Sequence, residues 1–201
     1  LTPVLTPPLD TQVGGERPTV QLVDIFIDQN GRYRFGFEKL KRYIDLAEKC
    51  GIEYFEISHL FTQWGAAHAP KVVAETGNGL QKIFGWETDA ASQEYVTFLN
   101  SFLKELRGWL TNIGKLDRCY FHISDEPDGS HLESYRTARN SVKDVLQNCK
   151  MIDALSDYEY YEKGIVQIPI PSIDHIEPFL AHDIPNLWAY YCCAQGVDVS
   201  N

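Results

Sequence analysis

The chain alternates between short apolar runs and longer segments in which apolar residues recur at helical spacing. Runs rich in β-branched and aromatic residues predict strands; they occupy residues 19–27, 52–57, 118–124, 151–156, 164–170 and 186–193. Helical spacing predicts helices over residues 37–50, 89–113, 130–149 and 173–180. Because the strands are nearly uniformly apolar and most are separated by helices, the pattern predicts a parallel sheet covered by helices.

Turn and capping residues mark the ends of these elements. Gly51 and Gly114 follow the first and second helices and can adopt the left-handed conformation that ends a helix. Ser130 and Glu133 have the S-x-x-E spacing of a capping box, which predicts that the third helix begins at Ser130. Residues 58–88 show little periodicity but many aromatic residues and glycines, so they predict a long ordered loop.

The fold class predicted from this order is α/β, an incomplete (β/α)8 barrel of about six β/α units. A doubly wound sheet is the alternative, but no glycine-rich phosphate loop follows the first strand. A complete barrel needs ~250 residues, whereas the chain has 201. We therefore predict that the final strands are missing, and that a missing segment or a second copy in a homo-oligomer covers the open edge.

Proline content suggests a boundary near the start of the chain. Residues 1–18 contain four of the ten prolines. Such a segment is predicted to form a linker or an extended N-terminal segment, because proline restricts the backbone and cannot continue a helix. The predicted domain, a partial barrel, therefore covers residues 19–201.

Composition narrows the possible partners and compartment. The 18 basic and 28 acidic residues give a net charge of −10 without a dense basic cluster, which argues against a nucleic-acid partner. No run of 18 apolar residues is present, which argues against a membrane span. Five cysteines without a C-x-x-C spacing predict neither a disulfide framework nor a zinc site. The compartment is unknown. Free cysteines and the lack of a signal-peptide pattern weakly favour the cytoplasm.

Polar residues able to do chemistry follow the predicted strands directly. In (β/α)8 barrels this end of the strands holds the active site, although strand ends are polar in any α/β fold. The residues concerned are Glu56, Ser58 and His59 after the second strand, His122, Asp125 and Glu126 after the third, Asp153, Ser156 and Asp157 after the fourth, and Tyr190 and Tyr191 in the last.

Asp125 and Glu126 are adjacent in the segment CYFHISDEPDG, between a predicted strand and a turn. One interpretation is structural, because carboxylates are favoured near the positive end of the helix that follows. Ser130 is already placed to cap that helix, and Pro127 stiffens the turn in a way that also suits a preorganised carboxylate pair. Both interpretations stay open on the residues alone.

If the pair is functional, its adjacency restricts the mechanism. Standard glycosidases hold two carboxyl groups ~5 Å or ~6.5–9.5 Å apart on either side of the scissile bond, which neighbouring residues cannot easily do. An adjacent pair better suits substrate-assisted hydrolysis of an N-acetylhexosaminide, in which Glu126 protonates the leaving oxygen and Asp125 orients the acetamide. Close carboxylates also resist ionising together, so one can stay protonated as the acid.

Aromatic residues and histidines offer two further kinds of site. Aromatic rings in loops or at strand ends can stack on sugar rings, with ordinary packing as the plain alternative. The residues in such positions include Trp64, Trp86, Trp188 and Tyr190. His59 and His122 could instead bind a divalent metal together with Asp125 or Glu126, but no H-x-H or H-x-x-x-H spacing supports a metal site.

Five segments together are similar to the catalytic domain of glycoside hydrolase family 123 and its uncharacterised bacterial relatives. They are EISHLFTQWGAAHAP, KIFGWET, FHISDEP, DALSDYEYYEKG and LWAYYCC, and the resemblance runs from about residue 20 to residue 201. It implies a (β/α)8 barrel, usually preceded by a β-sandwich, that acts as a retaining exo-β-N-acetylgalactosaminidase. Asp125 matches the residue that stabilises the oxazolinium ion formed by the substrate acetamide, and Glu126 matches the general acid/base.

The prediction that follows is a glycosidase with a carbohydrate substrate and neither cofactor nor metal. The β-sandwich and the final barrel strands are absent from the pattern, so the resemblance does not imply activity of this chain alone. Two other functions stay open, a non-catalytic carbohydrate-binding barrel and a metal-dependent lyase or isomerase. The predicted substrate-binding residues are His59, Trp64, Trp86, His122, Asp157, Trp188 and Tyr190.

Overall fold

Two four-stranded sheets and five α-helices form the part of the chain that the computed structural model describes, residues 1–8, 14–15, 17–185 and 187–190. The strands are Asp24–Ile27 (β1), Tyr33–Gly36 (β2), Phe55–Glu56 (β3), Val72–Thr76 (β4), Gly79–Phe84 (β5), Cys119–Phe121 (β6), Lys150–Leu155 (β7) and Ile168–Pro171 (β8). The helices are Glu38–Lys49 (α1), Gln93–Asn112 (α2), Leu132–Val142 (α3), Glu159–Glu162 (α4) and Glu177–Leu180 (α5).

One sheet is parallel and follows the chain. Its strands lie in the order β3-β6-β7-β8, and each neighbouring pair is parallel. An isolated parallel bridge extends the sheet on each side. Thr2 pairs with Ile57, just after β3, and Tyr190 pairs with Ser172, just after β8. Six segments therefore lie side by side in chain order, as consecutive strands of a (β/α)8 barrel do. Closure of this sheet into a barrel stays a prediction.

The first eight residues, which lie in the predicted linker or extended N-terminal segment, belong to this sheet and to the core. The backbone N–H of Thr2 donates to the carbonyl of Glu56, and the N–H of Ser58 donates back to the carbonyl of Thr2. Val4 and Leu5 are fully buried. Prolines nearby are compatible with this position because an edge segment needs few backbone donors. The apolar pair, and not the prolines, determines where the segment lies.

The second sheet is mixed, and the sequence pattern predicts only one of its four strands. Its order is β2-β1-β4-β5, with β1 antiparallel to β2 but parallel to β4. The predicted strand over residues 19–27 is thus the shorter β1 and lies outside the parallel sheet. Within the predicted loop over residues 58–88, β4 and β5 form an antiparallel hairpin. Its turn contains Asn78-Gly79, with Gly79 at φ +89°, and an Asn-Gly pair is a strong hairpin signal that periodicity does not register.

Helix α2 packs against the mixed sheet through a cluster of aromatic rings. Phe98 is central to it, with its ring centroid 5.0 Å from that of Phe84 and 5.1 Å from that of Tyr33. The helix begins after Ser92, whose hydroxyl accepts from the N–H of Tyr95. Its predicted end is confirmed, because Gly114 has φ +69°. Among the described residues, no helix combines the length and apolarity needed to cross a membrane.

The third helix starts differently from its prediction. A 3-10 turn over Gly129–His131 precedes α3, and Asp128 caps it by accepting from the N–H of Ser130 at 2.8 Å. Ser130 is therefore not the cap, since the carboxylate two residues earlier takes that position. The predicted helices over residues 37–50 and 173–180 are confirmed as α1 and as a 3-10 turn followed by α5. Of the predicted run over residues 186–193, only residues 187–190 are described.

Burial of the first residues leads to a stability prediction. Leu5→Ala is expected to lower the free energy of unfolding by about 2–5 kcal/mol, because it removes a fully buried side chain and leaves a cavity. Leu46→Ala is the matched control, since Leu46 on α1 is 61% exposed, and its effect should stay within about 0.5 kcal/mol. Chemical denaturation of both variants measures the difference. Equal effects would show that the segment does not belong to the core.

Candidate functional site

A cleft of about 400 Å³ opens on the face of the parallel sheet that points away from its helices. Side chains alternate between the two faces of a strand, so Tyr120 and His122 reach the cleft from β6 and the residue after it, and Ile152 and Ala154 reach it from β7. Its volume is within the range of small-molecule sites. The full lining is Leu1, Tyr54, Glu56, His59, Tyr120, His122, Asp125, Ile152, Ala154, Ile170, Trp188 and Tyr190.

The turn that carries Asp125 and Glu126 is fixed by two loop contacts. The hydroxyl of the buried Ser124 donates to the carbonyl of Thr62 at 2.8 Å. The N–H of Trp64 donates to the carbonyl of Asp125 at 3.1 Å. These bonds join the segment after β6 to the segment after β3, so the backbone beside the carboxylates cannot shift independently of its neighbour.

The two adjacent carboxylates lie in different surroundings. Asp125 lines the cleft, and its Oδ1 is 3.8 Å from Nε2 of the buried His59. Glu126 is exposed, and its Oε1 accepts a hydrogen bond of 2.9 Å from the hydroxyl of Tyr190, which also lines the cleft. Glu126 has φ +45°, in the left-handed region that residues other than glycine seldom adopt. Strain of this kind concentrates at functional sites.

An ion-pair network is centred on the buried side chain of His122, which lines the same cleft as Asp125. His122 is held between two carboxylates, with Nε2 2.7 Å from Oε1 of Glu56 and Nδ1 3.1 Å from Oδ1 of Asp153. The other oxygen of Asp153 accepts from the Tyr135 hydroxyl and, at 3.2 Å, from the N–H of Ile123. The network therefore connects β3, the segment after β6, β7 and α3.

Charge and burial set the ionisation of this network. Burial alone would lower the pKa of His122, but the hydrogen bonds and charges of Asp153 and Glu56 outweigh it and raise the pKa to about 9. The hydrogen bond from His122 lowers the pKa of Glu56. Burial raises the pKa of Asp153, although His122 opposes it. For His59, burial and then the positive charge of His122 hold the pKa well below its usual value, so His59 is neutral beside a charged His122.

The set of possible metal ligands differs from the one considered from the sequence. His59, His122 and Asp153 offer ligand atoms within 4.8 Å of one another, and neither Asp125 nor Glu126 is among them. Both nitrogens of His122 already contact carboxylates, and an imidazolium has no lone pair to give a metal. The arrangement therefore fits an ion-pair network better than a set of metal ligands.

The structure brings five of the predicted site residues to the cleft, namely His59, His122, Asp125, Trp188 and Tyr190. Trp188 is 44% exposed, and its ring centroid is 5.3 Å from that of Tyr120. Glu126 joins the cleft through its hydrogen bond to Tyr190. Tyr191, the remaining aromatic residue of this run, lies outside the described residues.

Three other predicted residues do not line the cleft. Trp64 is 45% exposed beside Asp125, to which its backbone is bonded. Asp157 accepts a hydrogen bond of 3.0 Å from the N–H of Glu159, the first residue of α4, and its other oxygen lies near Gly129 in the turn after the carboxylate pair. Trp86 lies against His68, with ring centroids 5.7 Å apart.

Three residues of the network around His122 were not selected from the sequence. Glu56 and Asp153 stood among the polar strand ends, but nothing in their spacing indicated that both face one histidine. Tyr135 comes from α3, where a tyrosine at a buried helical position is typical of ordinary core packing. Only the packing of α3 on the sheet brings its hydroxyl to Asp153.

Comparison with known proteins identifies similar chains. A family model described as glycoside hydrolase 123, catalytic domain, matches residues 1–201. Ten solved chains match, among them a family 123 glycoside hydrolase from Clostridium perfringens whose structural analysis concerned glycolipid glycan hydrolysis. That match has a TM-score of 0.57 and 14% identity, and it covers 78% of this chain and 27% of that one. The similarity is therefore one of fold. A comparison with curated proteins found no match.

The charged state of His122 predicts a pH dependence of stability. Its folded pKa of about 9 lies above the unfolded value of 6.5, so its contribution is complete below pH 6.5 and is lost as pH rises through 9. The expected loss is on the order of 3 kcal/mol, measured by chemical denaturation across that interval. The decline in the free energy of unfolding with rising pH should largely disappear in His122→Gln. It should persist in His182→Gln, because the ring of His182 is exposed. An unchanged decline in His122→Gln would contradict the assignment.

Proposed function

Because the chain belongs to the glycoside hydrolase 123 catalytic-domain family, we propose that the protein hydrolyses terminal β-linked N-acetylhexosamine, with N-acetylgalactosamine as the preferred sugar. The observation that carries the proposal is the adjacent pair Asp125 and Glu126, of which one lines the cleft and the other is bonded to a cleft residue. The matched chain from Clostridium perfringens makes a glycolipid glycan one source of this sugar. The present chain spans about a quarter of the length of that one.

The proposed reaction retains anomeric configuration and uses the substrate acetamide as nucleophile. Glu126 protonates the glycosidic oxygen while the acetamide oxygen attacks the anomeric carbon, so the bond to the leaving group breaks and an oxazolinium ion forms. Asp125 accepts a hydrogen bond from the acetamide N–H and stabilises the positive charge. Water then attacks the anomeric carbon while Glu126 removes a proton from the water molecule. This step opens the oxazolinium ring and regenerates the acetamide.

The backbone of the turn supports this one-sided arrangement. Side chains of adjacent residues in an extended strand point to opposite faces. Glu126 has φ +45°, which interrupts that alternation and lets both carboxylates approach one cleft. Tyr190 donates to Oε1 of Glu126 and leaves Oε2 available to carry the proton that the leaving group receives.

The aromatic lining supports a sugar as the substrate. Trp188, Tyr120, Tyr54 and Tyr190 all line the cleft. Their rings present apolar faces to the C–H groups of a pyranose, while carboxylates at one end can hydrogen-bond its hydroxyl and acetamide groups. We also propose that the parallel sheet is part of a (β/α)8 barrel, in which this cleft occupies the usual position of the active site.

Glu126→Gln tests the acid/base assignment in the full-length protein. We expect kcat to fall by about 10²–10⁴-fold on a glycoside with a poor leaving group, because the leaving oxygen is no longer protonated. The loss should be smaller for an aryl glycoside whose leaving group needs little protonation. Glu133→Gln is the matched control, since the Glu133 side chain is 79% exposed and belongs to α3. Unchanged hydrolysis by Glu126→Gln would contradict the role of Glu126.

Asp125→Asn tests the partner of the acetamide. We expect kcat to fall and a thiazoline mimic of the oxazolinium ion to bind more weakly, because an amide cannot offset positive charge as a carboxylate does. The inhibition constant of the thiazoline should rise more than KM, since the substrate itself is uncharged. If Asp125→Asn changed both constants equally, Asp125 would contribute to binding in general and not to the charged intermediate.

A non-catalytic sugar-binding barrel is the second candidate, because the aromatic cleft alone would suffice for it. A sugar-binding protein and a glycosidase differ in one measurable respect. A binding protein should keep its affinity for an N-acetylhexosaminide in Glu126→Gln and show no turnover of any aryl glycoside in its unaltered form. Calorimetric binding and product release, measured on the same protein, separate the two functions.

A further inference from the structure

We propose that a buried histidine pair positions Asp125: His59 donates a hydrogen bond to the Asp125 carboxylate, and His122 holds the His59 ring from the other side. Its catalytic meaning rests on the proposed function, in which Asp125 faces the acetamide. The geometric part does not, because it concerns the approach of His59 to Asp125 and the packing of the two histidine rings. Neither histidine touches the reacting atoms in this proposal, so both are positioning residues.

The placement of His59 determines where its proton lies. The side chain is only 4% exposed, and Nε2 lies 3.8 Å from Oδ1 of Asp125. Among the described residues, Nδ1 has no hydrogen-bond partner. A buried N–H without an acceptor is more costly than a buried acceptor without a donor, so the neutral ring should carry its proton on Nε2. That proton points to Asp125. A contact of 3.8 Å is longer than a hydrogen bond, and catalytic contacts commonly tighten when substrate binds.

A neutral donor has a specific advantage at this position. A charged His59 would form an ion pair with Asp125 and cancel the negative charge that the oxazolinium ion requires. Burial and the charge of His122 hold the pKa of His59 well below its usual value, so the ring orients Asp125 without neutralising it. The cleft is therefore suited to a cationic intermediate.

His122 packs against His59 and is itself in contact with two carboxylates. Carboxylates contact both of its nitrogens, and its centroid lies 4.6 Å from that of His59. Two carboxylates contact this one cation, so the positive charge of His122 is compensated on both sides of its ring. The titratable and charged groups that face the histidine pair are Glu56 on β3, Asp125 after β6, Asp153 on β7 and Tyr135 on α3, with the Leu1 nitrogen 3.8 Å from Glu56.

Substitution of His59 separates positioning from packing. In the full-length protein, His59→Leu removes the donor and should lower kcat by about 10²-fold with little change in KM, because Asp125 is misplaced and substrate contacts remain. His59→Gln keeps an N–H donor and should recover at least part of that loss. Equal losses in the two variants would overturn the proposal, since packing alone would then explain both.

The pH profile tests the link to His122. Without the positive charge of His122, the pKa of His59 should rise, so His59 becomes charged at a higher pH and neutralises Asp125 there. The acidic limb of kcat should therefore move to higher pH in His122→Gln. His122→Asn provides a second uncharged variant if that protein does not fold, and the limb should move in the same direction. An unmoved limb in a folded variant would overturn the link.

A measurement without turnover distinguishes failure of this inference from failure of the proposed function. Nitrogen NMR of labelled histidines should show His59 neutral with its proton on Nε2 at pH 6, and Asp125→Asn should shift the Nε2 signal. The control Glu133→Gln should leave that signal unchanged. A charged His59 at pH 6, or an Nε2 signal that is insensitive to Asp125→Asn, would overturn the inference even if hydrolysis is observed. The expected spectra would support it even if Glu126→Gln left hydrolysis unchanged.

Discussion

His122 joins three neighbouring segments of the parallel sheet through one buried charge. Its two nitrogens contact Glu56 on β3 and Asp153 on β7, while His122 itself follows β6. A buried ion pair adds little net stability when complete, but loss of one partner leaves an uncompensated charge and costs about 3–5 kcal/mol. The strands are therefore held in one relative position, because sliding β3 or β7 along β6 would separate these charges.

The same charge cluster determines where the adjacent carboxylates lie. Asp153 accepts from the backbone of Ile123, two residues before Asp125, so the end of β6 is tied to β7. The contacts of Ser124 with Thr62 and of Trp64 with Asp125 then tie the turn to the loop after β3. A turn held from both sides can tolerate the left-handed conformation of Glu126. The cleft thus depends on the network beneath it as much as on the residues that line it.

The features predicted from sequence are those that depend on neighbouring residues. Helix α1 has a regular apolar face that ends at Gly51, and Asp125-Glu126 was identified because adjacency itself restricts mechanism. The features that sequence reasoning missed depend on distant partners or on competition between similar signals. Val4 and Leu5 form part of the core only because β3 lies beside them, and Asp128 competes with Ser130 as a cap of the same type. No local pattern records that Tyr135 reaches Asp153.

The contrast between the two carboxylates agrees with the separate tasks that the proposed reaction gives them. A general acid/base must exchange its proton with solvent between turnovers, and Glu126 is exposed with one oxygen bonded to Tyr190. The residue that faces a cation must stay ionised and keep its orientation, and Asp125 is less exposed than Glu126 and lies beside the buried, neutral His59. Two residues of nearly identical chemistry thus differ because one side of the turn faces solvent and the other faces a buried charge network. Environment, and not residue type, separates their roles.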